Sequence, residues 1–260
     1  MSATLNLSED AIKKIAANLF EKSKMDWRFY LLLILSTIIV TLGLLLNNAS
    51  IIIGGMLVTP LLTPILAFAF GIVILNSHVL WRSAKILIKS ILIIFIFSFI
   101  TTLLAPAADV QSEIISRTFI NLSFFYVALA AGIAAAFAWA RPDLSESLPG
   151  IAISVALLPP LATAGIGLAL WQNTLTFGGI KLFASNIIGI IIAAAFVFAI
   201  MGLHKAKNIA LQKVEEEEKD AIKKELEKVK KEENLIKEVK KEVDGDPNIE
   251  HRSDQDNITK

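Results

Sequence analysis

The chain has 260 residues, a formal net charge of +1, 19% charged residues and no cysteine. Nine charged residues fall in 1–28, ten in 29–203 and thirty in 204–260. A stretch of that length with so few charges excludes an ordinary soluble enzyme, and the missing thiols exclude disulfide scaffolds, thiolate catalysis and cysteine-based metal sites. What remains is an all-α polytopic membrane protein with a charged tail.

Residues 1–28 mix Lys13, Lys14, Lys22, Lys24 and Arg28 with Glu9, Asp10, Glu21 and Asp26. That is too long and too mixed for a cleavable signal. Ser8 can cap a helix whose Ile12, Ile15 and Leu19 share a face, so the segment reads as a cytoplasmic amphipathic helix or as a partly ordered tail.

Six apolar stretches follow: Phe29–Leu46, Ala49–Leu75, Ile86–Leu104, Leu122–Ala140, Pro149–Leu170 and Leu182–Leu203. Each is long enough to cross a hydrocarbon core of about 30 Å. Trp27 and Tyr30 stand at the first edge as interface anchors. With the N-terminus inside, the short inner loops hold Arg82, Lys85 and Arg141, while the outer loops hold only Arg117. This bias predicts a multi-pass protein of the cell membrane with both termini cytoplasmic.

The second and fifth stretches are interrupted, by Pro60 and Pro64 and by Pro159 and Pro160. Placing residue n against n+100 matches Ile51, Ile53, Leu57, Pro60, Leu61, Thr63 and Ala69 with Ile151, Ile153, Leu157, Pro160, Leu161, Thr163 and Ala169. The chain then reads as two three-span units, 29–104 and 122–203 within a membrane domain 29–203. An odd number of crossings per unit inverts the second, a pattern of secondary transporters. Proline frees carbonyls that must find partners in lipid. Thr59, Thr63 and Thr163 are placed to help, and Gly54, Gly55, Gly165 and Gly167 permit unwinding or close approach. A packed proline kink is the plainer alternative. Two proline pairs in matching positions favour breaks lining a solute site, with Gly54, Gly55, Thr59, Pro60, Thr63, Pro64, Pro159, Pro160, Thr163 and Gly165 as candidates.

The small residues Ala128, Gly132 and Ala136, and Ser185, Gly189 and Ala193, recur every fourth position. Such faces suit close helix packing, within the chain or in a homo-oligomer. The six stretches hold no Asp, Glu or His, so carboxylate relays and paired-aspartate proteolysis find no residues. Nothing in the sequence implies an enzyme, a metal, a cofactor or a nucleic-acid partner. Lys85 and Lys89 share a helix face, and Lys181 opens the last stretch. They snorkel to the interface or form a basic vestibule for anions. With no buried acid to neutralise a cation, an anionic or neutral solute is favoured. Asn47, Asn48 and Asn186 read as helix end-caps.

Residues 204–243 read as a charged cytoplasmic helix, with Glu215–Lys219, Asp220–Lys224, Glu227–Lys231 and Glu233–Lys237 at the spacing of favourable pairs. Ile222, Leu226, Val229, Ile236 and Val243 give a thin stripe, which suits a solvated helix or a weak coiled coil able to recruit a partner. Residues 244–260 have the composition of a disordered tail.

The run Ile53-Gly54-Gly55-Met56-Leu57-Val58-Thr59-Pro60-Leu61-Leu62-Thr63-Pro64 resembles the signature of the domain of unknown function 389 family, uncharacterised hydrophobic membrane proteins of bacteria and archaea. Ala140-Arg141-Pro142, Leu148-Pro149-Gly150 and Ala156-Leu157-Leu158-Pro159-Pro160-Leu161 look like its second half. Members typically carry Ser-Pro-Leu-Met-Gly-Pro where this chain has Thr59 to Pro64. The resemblance covers about Leu31 to Leu203. It implies a polytopic membrane protein and brings no activity with it. A membrane-anchored scaffold whose C-terminal helix recruits a partner is the competing functional class.

Overall fold

A computed structural model describes residues 26–105, 110–140 and 157–203, all of whose regular structure is helical. The expected N-terminal amphipathic helix, the start of the fifth apolar stretch, the charged helix 204–243 and the tail 244–260 lie outside the described residues. Eight helices are described: α1 Trp27–Leu45, α2 Ala49–Val58, α3 Leu62–Val73, α4 Ser77–Leu104, α5 Ser112–Ser116, α6 Leu122–Ala140, α7 Leu158–Ala169 and α8 Asn173–Ile200. Four of them, α1, α4, α6 and α8, are long and apolar enough to cross a membrane, and α2 with α3 makes a fifth candidate bent by 53°. These apolar helices make the chain a multi-pass membrane protein.

The helices outrun the apolar stretches where polar caps allow it. α4 begins nine residues before Ile86, because the Asn76 side chain accepts from the amides of His78 and Val79 at 3.0 and 3.1 Å. The expected inner loop Asn76–Lys85 is therefore mostly helix. The expected outer loop Trp171–Ile180 is likewise mostly the first turns of α8, from Asn173 on. Asn186 consequently lies mid-helix and buried, correcting its reading as an end-cap, whereas Asn48 does cap α2.

Three tight hairpins join α1 to α2, α3 to α4 and α7 to α8. Asn47, Leu75 and Trp171 take positive φ values of 51°, 51° and 55°. The following amides of Asn48, Asn76 and Gln172 donate to the carbonyls of Gly43, Gly71 and Gly167 at 2.9, 3.2 and 2.8 Å. This is the Schellman arrangement, which satisfies carbonyls that the helix end leaves open. The glycine matters because the next helix folds straight back onto it. A β-carbon at Gly71 would stand 3.1 Å from the Leu80 nitrogen, and one at Gly167 would stand 2.6 Å from that of Thr176.

The core sits where α4 and α8 hold the two short helices. α3 packs on α4 and α8, and α7 packs on α8 and α4. Phe70 of α3 meets Phe198 of α8 edge-on with centroids 6.1 Å apart, and Trp139 of α6 packs on the same ring. The small-residue faces of α6 and α8 pack on each other. A β-carbon at Gly132 would come within 2.9 Å of Ala193 and Ile190, and one at Gly189 within 3.0 Å of Ala128. The internal use of these faces is thereby accounted for.

Candidate functional site

The prolines sit at helix starts instead of inside continuous helices. α2 stops at Val58, residues 59–61 are not helical, and α3 opens with Pro64 in its first turn. α7 opens with Pro159 and Pro160 in its first turn. A first-turn amide has no partner inside its own helix, so proline there removes nothing the helix uses. Neither Leu61 nor Leu157, the residues before these two helices, supplies a side-chain cap. At the end of α2 the freed carbonyl of Gly55 is taken up instead by the Thr59 hydroxyl, which donates to it at 3.1 Å.

These features meet at one pocket. It is lined by Met56, Thr59, Leu61, Leu62, Leu157 and Leu158, and its empty space with the open mouth is about 240 Å³. The enclosed part has room for about one water. Its walls are the last turn of α2, the non-helical link, and the first residues of α3 and α7. Five of the six lining side chains are apolar, and the hydroxyl of the sixth is engaged at Gly55. The pocket is therefore dry in character, and what polarity it has comes from backbone near two helix starts.

Of the candidates read from sequence, Thr59 lines the pocket and Pro60 stands beside it. Pro64, Pro159 and Pro160 follow in the adjoining first turns and are buried. Thr63 is half-buried. Gly54 is exposed and a β-carbon there would meet nothing, while Gly55 lets α2 lie against Val40 of α1. Thr163 is fully buried one turn into α7, and its hydroxyl has no hydrogen-bond partner. Gly165 lies further along, where α7 crosses α4 with no space between it and Ser98. Lys85 and Lys89 stand on the exposed face of α4, and neither lines the pocket. The Lys85 ammonium lies 5.5 Å from the ring centre of Trp81, itself exposed, a pairing suited to a membrane interface.

The lining residues missed by sequence reading are Met56, Leu61, Leu62, Leu157 and Leu158. Each is within a few positions of a proline in the pair of breaks. In an apolar sequence such leucines carry no mark of their own. Among the described residues, no group of three or more His, Asp or Glu is placed to hold a metal.

Comparison with known proteins bears on this segment directly. The family described as a domain of unknown function, DUF389, matches residues 56–192, more than half of the chain. The chain belongs to that family. The matched region begins at the pocket residue Met56 and takes in both breaks, α4, α6 and most of α8. A relative in Methanocaldococcus jannaschii, the uncharacterized protein MJ0678, is 29% identical over 197 residues, which cover 76% of this chain and 60% of the relative. The chain thus spans about three fifths of the length of that relative. No solved protein structure matches.

Proposed function

We propose that the protein moves a small anionic or neutral solute across the membrane through a site at the meeting of its two helix breaks, within six crossings built as two inverted units. The observation that carries the reading is the pocket itself. Leu61 and Leu62 come from one half of the chain and Leu157 and Leu158 from the other, and each pair is the start of a short helix.

Element lengths support two related units. The hairpin Leu62–Val73 with Ser77–Leu104 recurs 96 residues on as Leu158–Ala169 with Asn173–Ile200. Each unit opens with a 19-residue helix, α1 or α6. The helix boundaries thus correspond at n+96, while the identities align at n+100. Four residues are about one helical turn, so both alignments put the same face toward the same neighbours.

Helix directions support the inversion. Gly71 of α3 abuts Leu80 of α4, and Gly165 of α7 abuts Ser98 of α4. Positions 80 and 98 are five turns apart on one face, about 27 Å along the axis. Since α3 runs back along α4 from the hairpin, Leu62 stands level with about residue 89. Leu158 shares the pocket with Leu62, and this requires α7 to run parallel to α4, with Leu158 level with about residue 91. The two short helices then point away from each other with their starts meeting mid-way. Half-helix starts gathered near midplane suit an anionic group or a polar neutral one. The bound solute would be held by backbone and apolar contact, with passage and no chemical conversion.

The test uses the full chain, purified and reconstituted in liposomes, with uptake measured for a panel of small anions and neutral solutes. Flux of at least one solute, lost when Leu62→Trp or Leu158→Trp fills the pocket, is the expected result. No flux across the panel, or flux indifferent to both variants, overturns the proposal. The competing scaffold reading is then tested by asking whether a chain lacking residues 214–260 still rescues a null strain.

A further inference from the structure

The pocket admits about one water, so any solute must be let in by a wall that moves. Of its walls, the one on α2 is the least held. α2 packs on α1 and touches α7 only lightly, and its Ile53, Gly54, Leu57 and Val58 are exposed. Its far end is the Asn47–Asn48 turn. Most side-chain hydrogen bonds among the described residues return to their own helix within four positions; Asn47 departs from this. Its side-chain oxygen accepts from the Ser112 hydroxyl at 3.1 Å and from the Glu113 amide at 3.0 Å, spanning 65 and 66 residues of sequence.

The segment that Asn47 holds lies between the two halves of the membrane domain. α5 is a single short helix whose Ile114 is fully buried. Glu113 and Arg117 pair at 3.1 Å and are about three quarters buried. One residue on, Thr118 lies against Gly178 of α8, so tightly that a β-carbon at Gly178 would stand 2.6 Å from that of Thr118. Residues 110–121 therefore reach from the α1–α2 turn of the first half to α8 of the second.

We infer that residues 110–121 form a strap that holds α2 closed over the pocket, with Asn47 as its clasp. The inference rests on the proposed transport reading. With the clasp formed, the end of α2 is tied through α5 to α8, and Met56 and Thr59 stay close to Leu157 and Leu158. With the clasp broken, the α2 wall is held by its turn and packing on α1 and its light contact with α7, and can lean away from Leu157 and Leu158. The clasp itself consists of two exposed hydrogen bonds, weak enough to open and re-form reversibly.

The chain has no cysteine, so an introduced one reports without background. The reporter is Thr59→Cys in the full chain in liposomes, labelled from either face with a small charged thiosulfonate. Asn47→Gly removes the clasp and still tolerates the positive φ of that turn. Ser112→Ala removes one of the two bonds and disturbs folding less.

The expected result is about tenfold faster labelling with Asn47→Gly and a smaller increase with Ser112→Ala. If Thr59→Cys reacts at the same rate, within twofold, in all of these backgrounds, the strap does not gate the pocket and the inference falls while the transport reading stands. If it reacts from neither face even with Asn47→Gly, the pocket has no aqueous route and both fall.

Discussion

Gly165 is the position where one added carbon tests the packing of the site most directly. A β-carbon there would overlap the Ser98 hydroxyl outright, stand 2.9 Å from the Ser98 β-carbon and 3.2 Å from the Phe95 carbonyl oxygen. The hydroxyl can rotate away only by giving up its bond to Phe95, now 3.2 Å long, which costs about 1 kcal/mol. The two remaining contacts involve backbone and a β-carbon and cannot rotate. α7 must then move off α4 by several tenths of an ångström, an overpacking cost of roughly 1–3 kcal/mol. Gly165→Ala should therefore destabilise by about 3 kcal/mol, a fall in thermal midpoint of roughly 6–12 °C for a domain of this size. The assay is thermal unfolding of the detergent-purified chain, followed as a cycle with Ser98→Gly. That partner removes two of the three clashing atoms, so the double variant should recover about 1–2 kcal/mol relative to additivity. A midpoint unchanged by Gly165→Ala, or strict additivity with Ser98→Gly, would refute the close crossing of α7 on α4 and with it the alignment of the short helices.

Other positions give independent checks by the same unfolding assay. Thr163→Val keeps the shape and removes a fully buried hydroxyl that has no partner, so stability should hold or rise. A loss above about 1 kcal/mol would show the hydroxyl satisfied by something bound at the site. Thr59→Val strands the Gly55 carbonyl and should cost about 1 kcal/mol, whereas Thr59→Ser should retain the bond and most of the stability. Leu75→Gly relieves a positive φ at a residue 78% exposed, and should raise stability by up to about 1 kcal/mol. An unchanged or lower midpoint in that variant would mean that the leucine contact with lipid outweighs the backbone strain.

Much of the helical layout was legible because apolar composition alone decides it. Leu122–Ala140 coincides with α6, and the small faces on α6 and α8 followed from a four-residue spacing that only close packing explains. Helix starts were less legible. Residues such as Asn76, Ser77 and His78 look like a loop to a hydropathy reading, yet an asparagine cap and a Schellman turn start α4 there. The sequence identities and the helix bounds offer two registers for the proposed repeat, one turn apart. Pro-Leu-x-Thr draws the eye to n+100, while the backbone boundaries that obey n+96 are set by Gly71 and Gly167, whose role is contact with the next helix. The pocket was located by its prolines, but its lining leucines look like every other leucine in the chain. The clasp was not legible at all, because Asn47 and Ser112 meet through folding and share no local pattern.

α4 and α8 have 28 residues each and α1 and α6 have 19. At 1.5 Å per residue these are lengths of about 42 Å and 28 Å. A hydrocarbon core near 30 Å matches the shorter pair and falls well short of the longer one. The long helices must tilt or extend into the headgroups, and the exposed Trp81 and Lys85, early in α4, are suited to that depth. α3 and α7 ride on those same long helices, so their angle to one another is tied to the tilt. Bilayer thickness should then act on the candidate site: thicker bilayers favour upright long helices and thinner ones inclined helices, and the separation of Leu62 from Leu158 is expected to follow.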